Sequence, residues 1–288
     1  MQKIAFVGLG KMGEPMAANL LQKGFKVTIV GHRRPEPVER LKELGAEIAD
    51  TPAEAARTCD VAVLMLPTST EVEEALTGSD GMAGTLPSGS IVVDCSTSDP
   101  VSTRKLAALL KEKGVGFVDA GVTRGIPGAK QGKLAYFVGG SSEDFERAKP
   151  VLEAMGDTFF YMGDVGAGHE AKIISNALSY GTVALVNEML MLGKQFGLDL
   201  DMLKDALMCG AASKALESFG PRIIAHDYEP ARVSVRNVRS HLTITRDIVP
   251  EGAELQLIPI AQKLYDDVAK LGYEDADMSA IGELWPKQ

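Results

Sequence analysis

Apolar positions in the first half of the chain come in short runs that alternate with stretches of helical spacing. Residues 4–7 form a β-rich run, a glycine-rich turn follows, and the apolar positions of 15–22 recur at the three- and four-residue intervals of a helix. A second strand is predicted over 26–30, a helix over 36–44 ending at Gly45, and a third strand over 61–66 closed by Pro67. Strands at 90–93, 116–118 and 134–138, with helices at 101–113 and 142–155, continue the alternation. A mostly parallel sheet covered on both faces accounts for such an order. From Gly168 the period changes. Residues 170–196 form a long stretch rich in Ala, Leu and Met, interrupted only by Gly181 and Gly193, and nearly everything after it reads as helix. The boundary falls between Gly163 and Gly168. It divides the chain into 1–165, an α/β doubly wound domain, and 166–288, an all-α domain built on the long interdomain helix.

The composition narrows the classes of function. At 288 residues, 45% hydrophobic and 24% charged, the chain can bury a sizeable core and is neither depleted enough for disorder nor apolar enough for a membrane protein. No apolar run reaches the roughly 18 residues of a spanning helix. The N-terminus runs straight into a strand without a charged leader and cleavage site, so the expectation is a cytoplasmic protein with no membrane partner. A formal charge of −9 disfavours nucleic acid as a partner, because phosphate recognition rests on an excess of Lys and Arg. Cys59, Cys95 and Cys209 are scattered without C-x-x-C pairing, which argues against a disulfide framework or a zinc site; no metal is expected.

The first chemical signal is Gly8-Leu9-Gly10-Lys11-Met12-Gly13, a G-x-G-x-x-G between a strand and a helix in a βαβ unit. Glycines there permit the tight turn, the close approach of backbone to a pyrophosphate and the packing of helix on strand, while the helix N-terminus offers N–H donors to phosphate. An acid that would hold the 2′-hydroxyl of NAD is expected about 20 residues further on. This chain has Gly31 there, followed by His32, Arg33 and Arg34. The carboxylate that would repel a 2′-phosphate is missing and guanidinium groups that can pair with it are present, so NADP is the expected cofactor, with NAD as the alternative if Arg33 and Arg34 merely face solvent. Leu66 and Pro67 either line the cofactor or only end their strand.

Four stretches together resemble the β-hydroxyacid dehydrogenase family, which includes 3-hydroxyisobutyrate dehydrogenases and semialdehyde reductases and whose N-terminal domain is of the Rossmann type. They are the glycine-rich run extended through Glu14, Pro15 and Met16; Asp94-Cys95-Ser96-Thr97; Asp119-Ala120-Gly121-Val122-Thr123-Arg124-Gly125; and Gly166-Ala167-Gly168-His169-Glu170-Ala171-Lys172, continuing to Asn176. The resemblance implies that Lys172 is the proton-transfer residue, that Asn176 positions the substrate or the lysine, and that Thr123, Arg124 and Gly125 bind the carboxylate end of the substrate. Ser96 and Thr97 stand where small hydroxyls touch substrate, ribose or nicotinamide, with Ser98 or Asp99 free to cap the next helix. Lys172 and Asn176 are i and i+4 on one helix and so share a face. An amine beside an apolar nicotinamide loses hydration, and its pKa falls toward neutrality. The implied reaction is hydride transfer between a small 3-hydroxyacid and its semialdehyde.

Two departures from the family pattern affect substrate identity. Arg124 replaces the first glycine of the usual S-G-G loop, and a guanidinium there would hold a substrate with an extra anionic group unless it turns to solvent. In the run from Arg236 to His241, where relatives carry a Lys-Asp pair, Arg239 keeps the charge for the cofactor, Ser240 cannot replace the acid, and no counter-charge is evident; His241 reads more readily as structural than functional. The rival readings are an imine reductase on the same fold, which would lack Lys172, and a non-catalytic dinucleotide-binding sensor. The long helix is too apolar to be bathed on all sides, so a homodimer or homotetramer is expected.

Overall fold

The alternation of the first strand is resolved as two buried layers. Along β1 (Lys3–Val7), Ile4 and Phe6 enter one apolar cluster and Ala5 and Val7 enter another, the period of two that a strand covered on both faces requires. The computed structural model describes residues 2–31, 34–210, 214–249 and 255–285. After β1 come α1 (Gly13–Gln22), β2 (Lys26–Val30), α2 (Pro35–Glu43), β3 (Glu47–Ala49), α3 (Pro52–Ala56), β4 (Val61–Leu64), α4 (Ser69–Thr77), β5 (Ile91–Asp94) and α5 (Pro100–Lys111). They are followed by β6 (Gly116–Thr123), α6 (Gly125–Gln131), β7 (Leu134–Gly139), α7 (Ser142–Met155) and β8 (Gly156–Gly163).

The eight strands form one sheet in the order β3-β2-β1-β4-β5-β6-β7-β8. Only the β6–β7 pairing is antiparallel. The doubly wound α/β expectation therefore holds. The order reverses between β1 and β4, the crevice at which open sheets of this kind take their ligands. Local signals start several helices as the pattern suggested. Asp99 caps α5 by accepting the Val101 N–H, with Pro100 at its first position, and Ser141 caps α7 by accepting from Asp144.

Five elements are absent from the sequence pattern, and a sixth runs longer than it suggests. Strand β3 has only three residues, two of them exposed, and β8 is an edge strand whose Phe160, Tyr161 and Met162 are also exposed, so neither carries a clean apolar period. Helices α3 and α4 are short, and α6 forms from a segment holding two glycines and a proline, Gly-Ile-Pro-Gly-Ala-Lys-Gln. Strand β6 runs to Thr123 rather than stopping at Val118, which carries the Asp119–Thr123 motif on sheet instead of loop.

The chain divides into two compact units, Met1–Lys172 and Ile173–Gln288. The long helix α8 (Ala167–Gln195) opens in the first unit and continues in the second. There it is followed by α9 (Leu200–Met208), α10 (Lys214–Ala225), α11 (Val235–Asp247) and α12 (Leu257–Val268), with a π turn at Ala269–Tyr273 and a 3-10 turn at Met278–Leu284. Val183, Leu190, Ile223, Val238, Leu242 and Tyr265 are central to the core of this second unit. Among the described residues, no helix is long and apolar enough to cross a membrane.

Candidate active site

The glycine-rich turn separates glycines that the fold needs from one that it does not. Gly8 has φ 104°, and a Cβ there would overlap the Met65 carbonyl on the neighbouring chain segment. A Cβ at Gly13 would overlap the Gly8 carbonyl oxygen. At Gly10, by contrast, a Cβ would meet no protein atom within 4 Å. Packing explains the first and last glycines, while the middle one borders open space at the start of α1, whose N-terminus is capped by no side chain. That cradle fits a pyrophosphate. Leu9 is fully buried, so only its backbone can face a ligand, and the Lys11 side chain is exposed.

The ends of β4 and β5 are tied together by a serine. Ser96 is wholly buried and its Oγ accepts the Leu66 N–H at 2.9 Å. Besides any ligand contact, this oxygen has a task in the fold: the Leu66 amide leaves the sheet here and would lose its partner without it. Thr97 is partly exposed and remains available. Asp94 holds the same turn, accepting the Ser96 N–H at 2.9 Å and the Ser98 hydroxyl at 2.8 Å. Ser98 is thus committed to Asp94, and the helix cap is Asp99.

The start of α8 is built on β6 and β7. Asp119 is fully buried and accepts the Gly166 N–H on one carboxylate oxygen and the His169 N–H on the other, both at 2.8 Å. A carboxylate from the sheet therefore does what a capping residue normally does for a helix N-terminus. Gly168 permits the approach, since a Cβ there would lie 2.7 Å from the Gly139 N and 2.8 Å from the Asp119 carbonyl oxygen. His169 adds a second tie, its Nδ1 lying 2.8 Å from Thr103 Oγ1 on α5 and its Nε2 3.9 Å from Asp94.

Lys172 follows one turn after this anchor. Its stem lies against Gly121, where an added Cβ would come within 2.7 Å of the lysine Cβ and 2.9 Å of its Cγ. No carboxylate among the described residues pairs with the amine, and desolvation lowers its pKa from the ordinary lysine range to about 8. The group can thus exchange a proton near neutral pH. The sequence reading quotes Asp119, Gly121 and His169 within the family-like stretches but gives them no part in building the site, and it does not name Gly139. For Asp119, Gly121 and Gly139 a further local signal is an acid or glycine inside an otherwise apolar strand, while His169 lies on α8.

Two cations are placed differently from expectation. Arg124, at φ 76°, directs its guanidinium to Asp157 Oδ1 at 2.6 Å, the Lys133 carbonyl at 2.9 Å and Thr158 Oγ1 at 2.9 Å. Protein acceptors engage it at all three contacts, and Thr123 and Gly125 beside it stay partly or fully exposed. Arg239 has the counter-charges that the sequence did not reveal, Asp266 at 2.6 Å and Glu274 at 3.0 Å. Arg34 immediately precedes α2, whereas His32 and Arg33 lie outside the described residues. In the second unit Asn176 is buried, and its Nδ2 lies 3.3 Å from His241 Nδ1. Pro67 is exposed at the end of the β4 segment and Leu66 is half-buried.

Comparison with known proteins follows the same division of the chain. Residues 3–163 match the NAD binding domain of 6-phosphogluconate dehydrogenase, and residues 166–285 match the NAD-binding domain of NADP-dependent 3-hydroxyisobutyrate dehydrogenase. A 3-hydroxyisobutyrate dehydrogenase of Pseudomonas aeruginosa is 40% identical over 77% of this chain and 74% of its own. An NAD-dependent L-serine dehydrogenase from the same organism is 33% identical over 99% of this chain and 98% of its own. The crystal structure of a 3-hydroxyisobutyrate dehydrogenase from Salmonella typhimurium superposes with a TM-score of 0.90 at 27% identity, covering 99% of this chain and 100% of that one. The resemblance first visible in four short stretches thus extends over the whole length, and the chain belongs to the β-hydroxyacid dehydrogenase family of nicotinamide-dependent oxidoreductases.

Proposed function

We propose that the protein interconverts a small 3-hydroxyacid and its semialdehyde, with Lys172 as the general acid and base. The observation that carries this reading is a desolvated amine, pKa about 8, without a counter-charge and seated on Gly121. Gly8, Gly10, Gly13 and the N-terminus of α1 would hold the pyrophosphate, and Leu66, Pro67 and Thr97 would line the rest of the cofactor. The chemistry that a nicotinamide dinucleotide supplies when bound is hydride exchange. The neutral Lys172 amine accepts the hydroxyl proton as the alcohol carbon is oxidised; in reduction its ammonium returns a proton to the developing alkoxide. Thr123 and the backbone around Gly125 orient the acid end of the substrate.

3-Hydroxyisobutyrate and serine, the substrates named for relatives, share a hydroxymethyl group on the carbon that carries a carboxylate, and an acid of that pattern is the proposed substrate class. The residues 31–34, Gly-His-Arg-Arg, favour NADP, because they lack an acid and offer two guanidinium groups for a 2′-phosphate. Residues 1–165 serve the cofactor and 166–288 the substrate and self-association. Along the second unit's part of α8, Ile174, Leu178, Leu185, Met189 and Leu192 are exposed at helical intervals, an apolar stripe that supports a homodimer or homotetramer. Three free thiols, two of them buried, suit a reducing compartment and a cytoplasmic location.

A turnover screen of hydroxyacids and semialdehydes, dicarboxylic members included, against NADP and NAD tests the reading. The expected result is oxidation of an α-hydroxymethyl acid with a higher kcat/KM for NADP. Cofactor binding without turnover of any member overturns the reaction, and a clear preference for NAD overturns the cofactor assignment.

A further inference from the structure

Lys172 is placed only as well as the end of the helix that carries it, and that end is gripped from the sheet. Asp119 on β6 is fully buried, and its two carboxylate oxygens accept the Gly166 and His169 N–H groups, both at 2.8 Å. The gripped amides stand one turn apart, so a single planar carboxylate fixes both the height of α8 and its rotation. One bond would leave the rotation free. Two ties from α5 reach the same turn, His169 Nδ1 with Thr103 Oγ1 at 2.8 Å and the Arg104–Glu170 ion pair at 2.6 Å. Both hold side chains, which can swing about their own bonds while the backbone moves, and the ion pair is exposed.

The fold clears room for this carboxylate. Gly139 on β7 is the register partner of Asp119, and a Cβ there would lie 2.7 Å from both Asp119 oxygens and 2.7 Å from the Gly168 N. Side chains two residues apart on a strand share a face, so Asp119 and Gly121 stand on the same side of β6. Gly121 lies about 7 Å beyond Asp119 along the strand, and Lys172 rises about 5 to 9 Å beyond the two gripped amides along the helix. Grip and seat thus advance in step. A shift or turn at the grip carries the lysine stem off Gly121.

We propose that Asp119 is a positioning residue for Lys172: by holding the backbone of the first turn of α8, its carboxylate sets where the lysine stem meets Gly121 and so where the amine stands. The role rests on the reaction proposed above. It differs in sign from a direct effect of the Asp119 charge. A misplaced stem lets water reach the amine and returns its pKa upward from about 8, whereas loss of a nearby anion favours the neutral amine and lowers it.

The test uses the full chain and the best substrate of the turnover screen. Asp119→Asn keeps the shape but turns one acceptor into an N–H that faces a gripped N–H. Gly139→Ala keeps the carboxylate and drives a methyl into it. In each, kcat/KM for oxidation is expected to fall about ten- to a hundredfold, the cost of moving a reacting group by up to about 1 Å, with the KM for the cofactor within about twofold of wild type. The pH at which kcat/KM breaks is expected to rise by about half a unit or more. Ser141→Ala, which removes the cap of α7 in the same unit, should lower the melting temperature without moving that break. The inference is overturned if a folded variant keeps wild-type kcat/KM, or if its break stays in place or moves down. Should Asp119→Asn fail to fold, Gly139→Ala decides, and the reverse. A wild-type chain that oxidises no hydroxyacid overturns the reaction together with this role, whereas an active wild type whose variants keep the break overturns the role alone.

Discussion

Two cations in the first unit, Lys172 and Arg124, were singled out by the same sequence reading, and the fold treats them in opposite ways. Lys172 is desolvated, lies on a glycine and meets no carboxylate among the described residues. Arg124 is exposed and is held by Asp157, Thr158 and the Lys133 carbonyl. The first environment raises the free energy of the charged form and makes its proton transferable; the second stabilises the charge and fixes the side chain. A cation is reactive where the protein withholds solvent and partners, and architectural where it supplies them.

Removing the reactive cation gives the largest expected effect. Lys172→Met should lower kcat by about 10²- to 10⁴-fold, the range for losing a general acid or base, while cofactor affinity stays near wild type. Near-normal turnover would place the proton transfer elsewhere. Next in size is Gly121→Ala, which leaves the amine in place chemically but drives a methyl into its stem, 2.7 Å from Cβ. Displacement of a reacting group by about 1 Å costs on the order of a hundredfold in rate. An unchanged kcat for Gly121→Ala in steady-state assays would show that the seat of the lysine does not matter.

The contrast also explains what could be read in advance. The G-x-G-x-x-G turn, the lysine with Asn176 four residues on and the alternation of strands and helices are local patterns, and each survives folding intact. Asp119 serves Gly166 and His169 from 47 and 50 residues away, and Arg124 finds Asp157 33 residues away; no window along the chain brings those groups together. The bond from the Leu66 amide to Ser96 was out of reach for the same reason, since it joins residues 30 positions apart. Strand β8 and the three-residue β3 escaped notice for a related reason: edge strands have one neighbour and need no apolar period.

A smaller effect follows from the pKa of Lys172. Oxidation of a hydroxyacid needs the neutral amine, so kcat/KM should fall about tenfold per pH unit below a break near 8, and level off above it. Reduction needs the ammonium and should decline above the same break. Because the folded pKa is lower than the unfolded one, stability should also rise with pH from about 8 toward the ordinary lysine range, and Lys172→Met should abolish that rise. A pH–rate profile flat between 6 and 9, taken with a substrate whose chemistry limits the rate, would contradict the assignment of the proton to this amine.

The smallest effect belongs to the architectural cation. Arg124→Ala removes an exposed ion pair with Asp157 and two further exposed hydrogen bonds, and melting should shift only slightly. Arg124→Gly should recover some of it, because the position has φ 76°, where a glycine is unstrained and an arginine is not. On substrates with one carboxylate, both variants should keep kcat/KM within about twofold of wild type, below the smallest effect expected of a charge-assisted substrate contact. The informative substrate is a dicarboxylic hydroxyacid. If Arg124→Ala selectively loses about tenfold or more on it, the guanidinium exchanges Asp157 for the ligand during the reaction, and the division between the two cations would be one of state rather than of place.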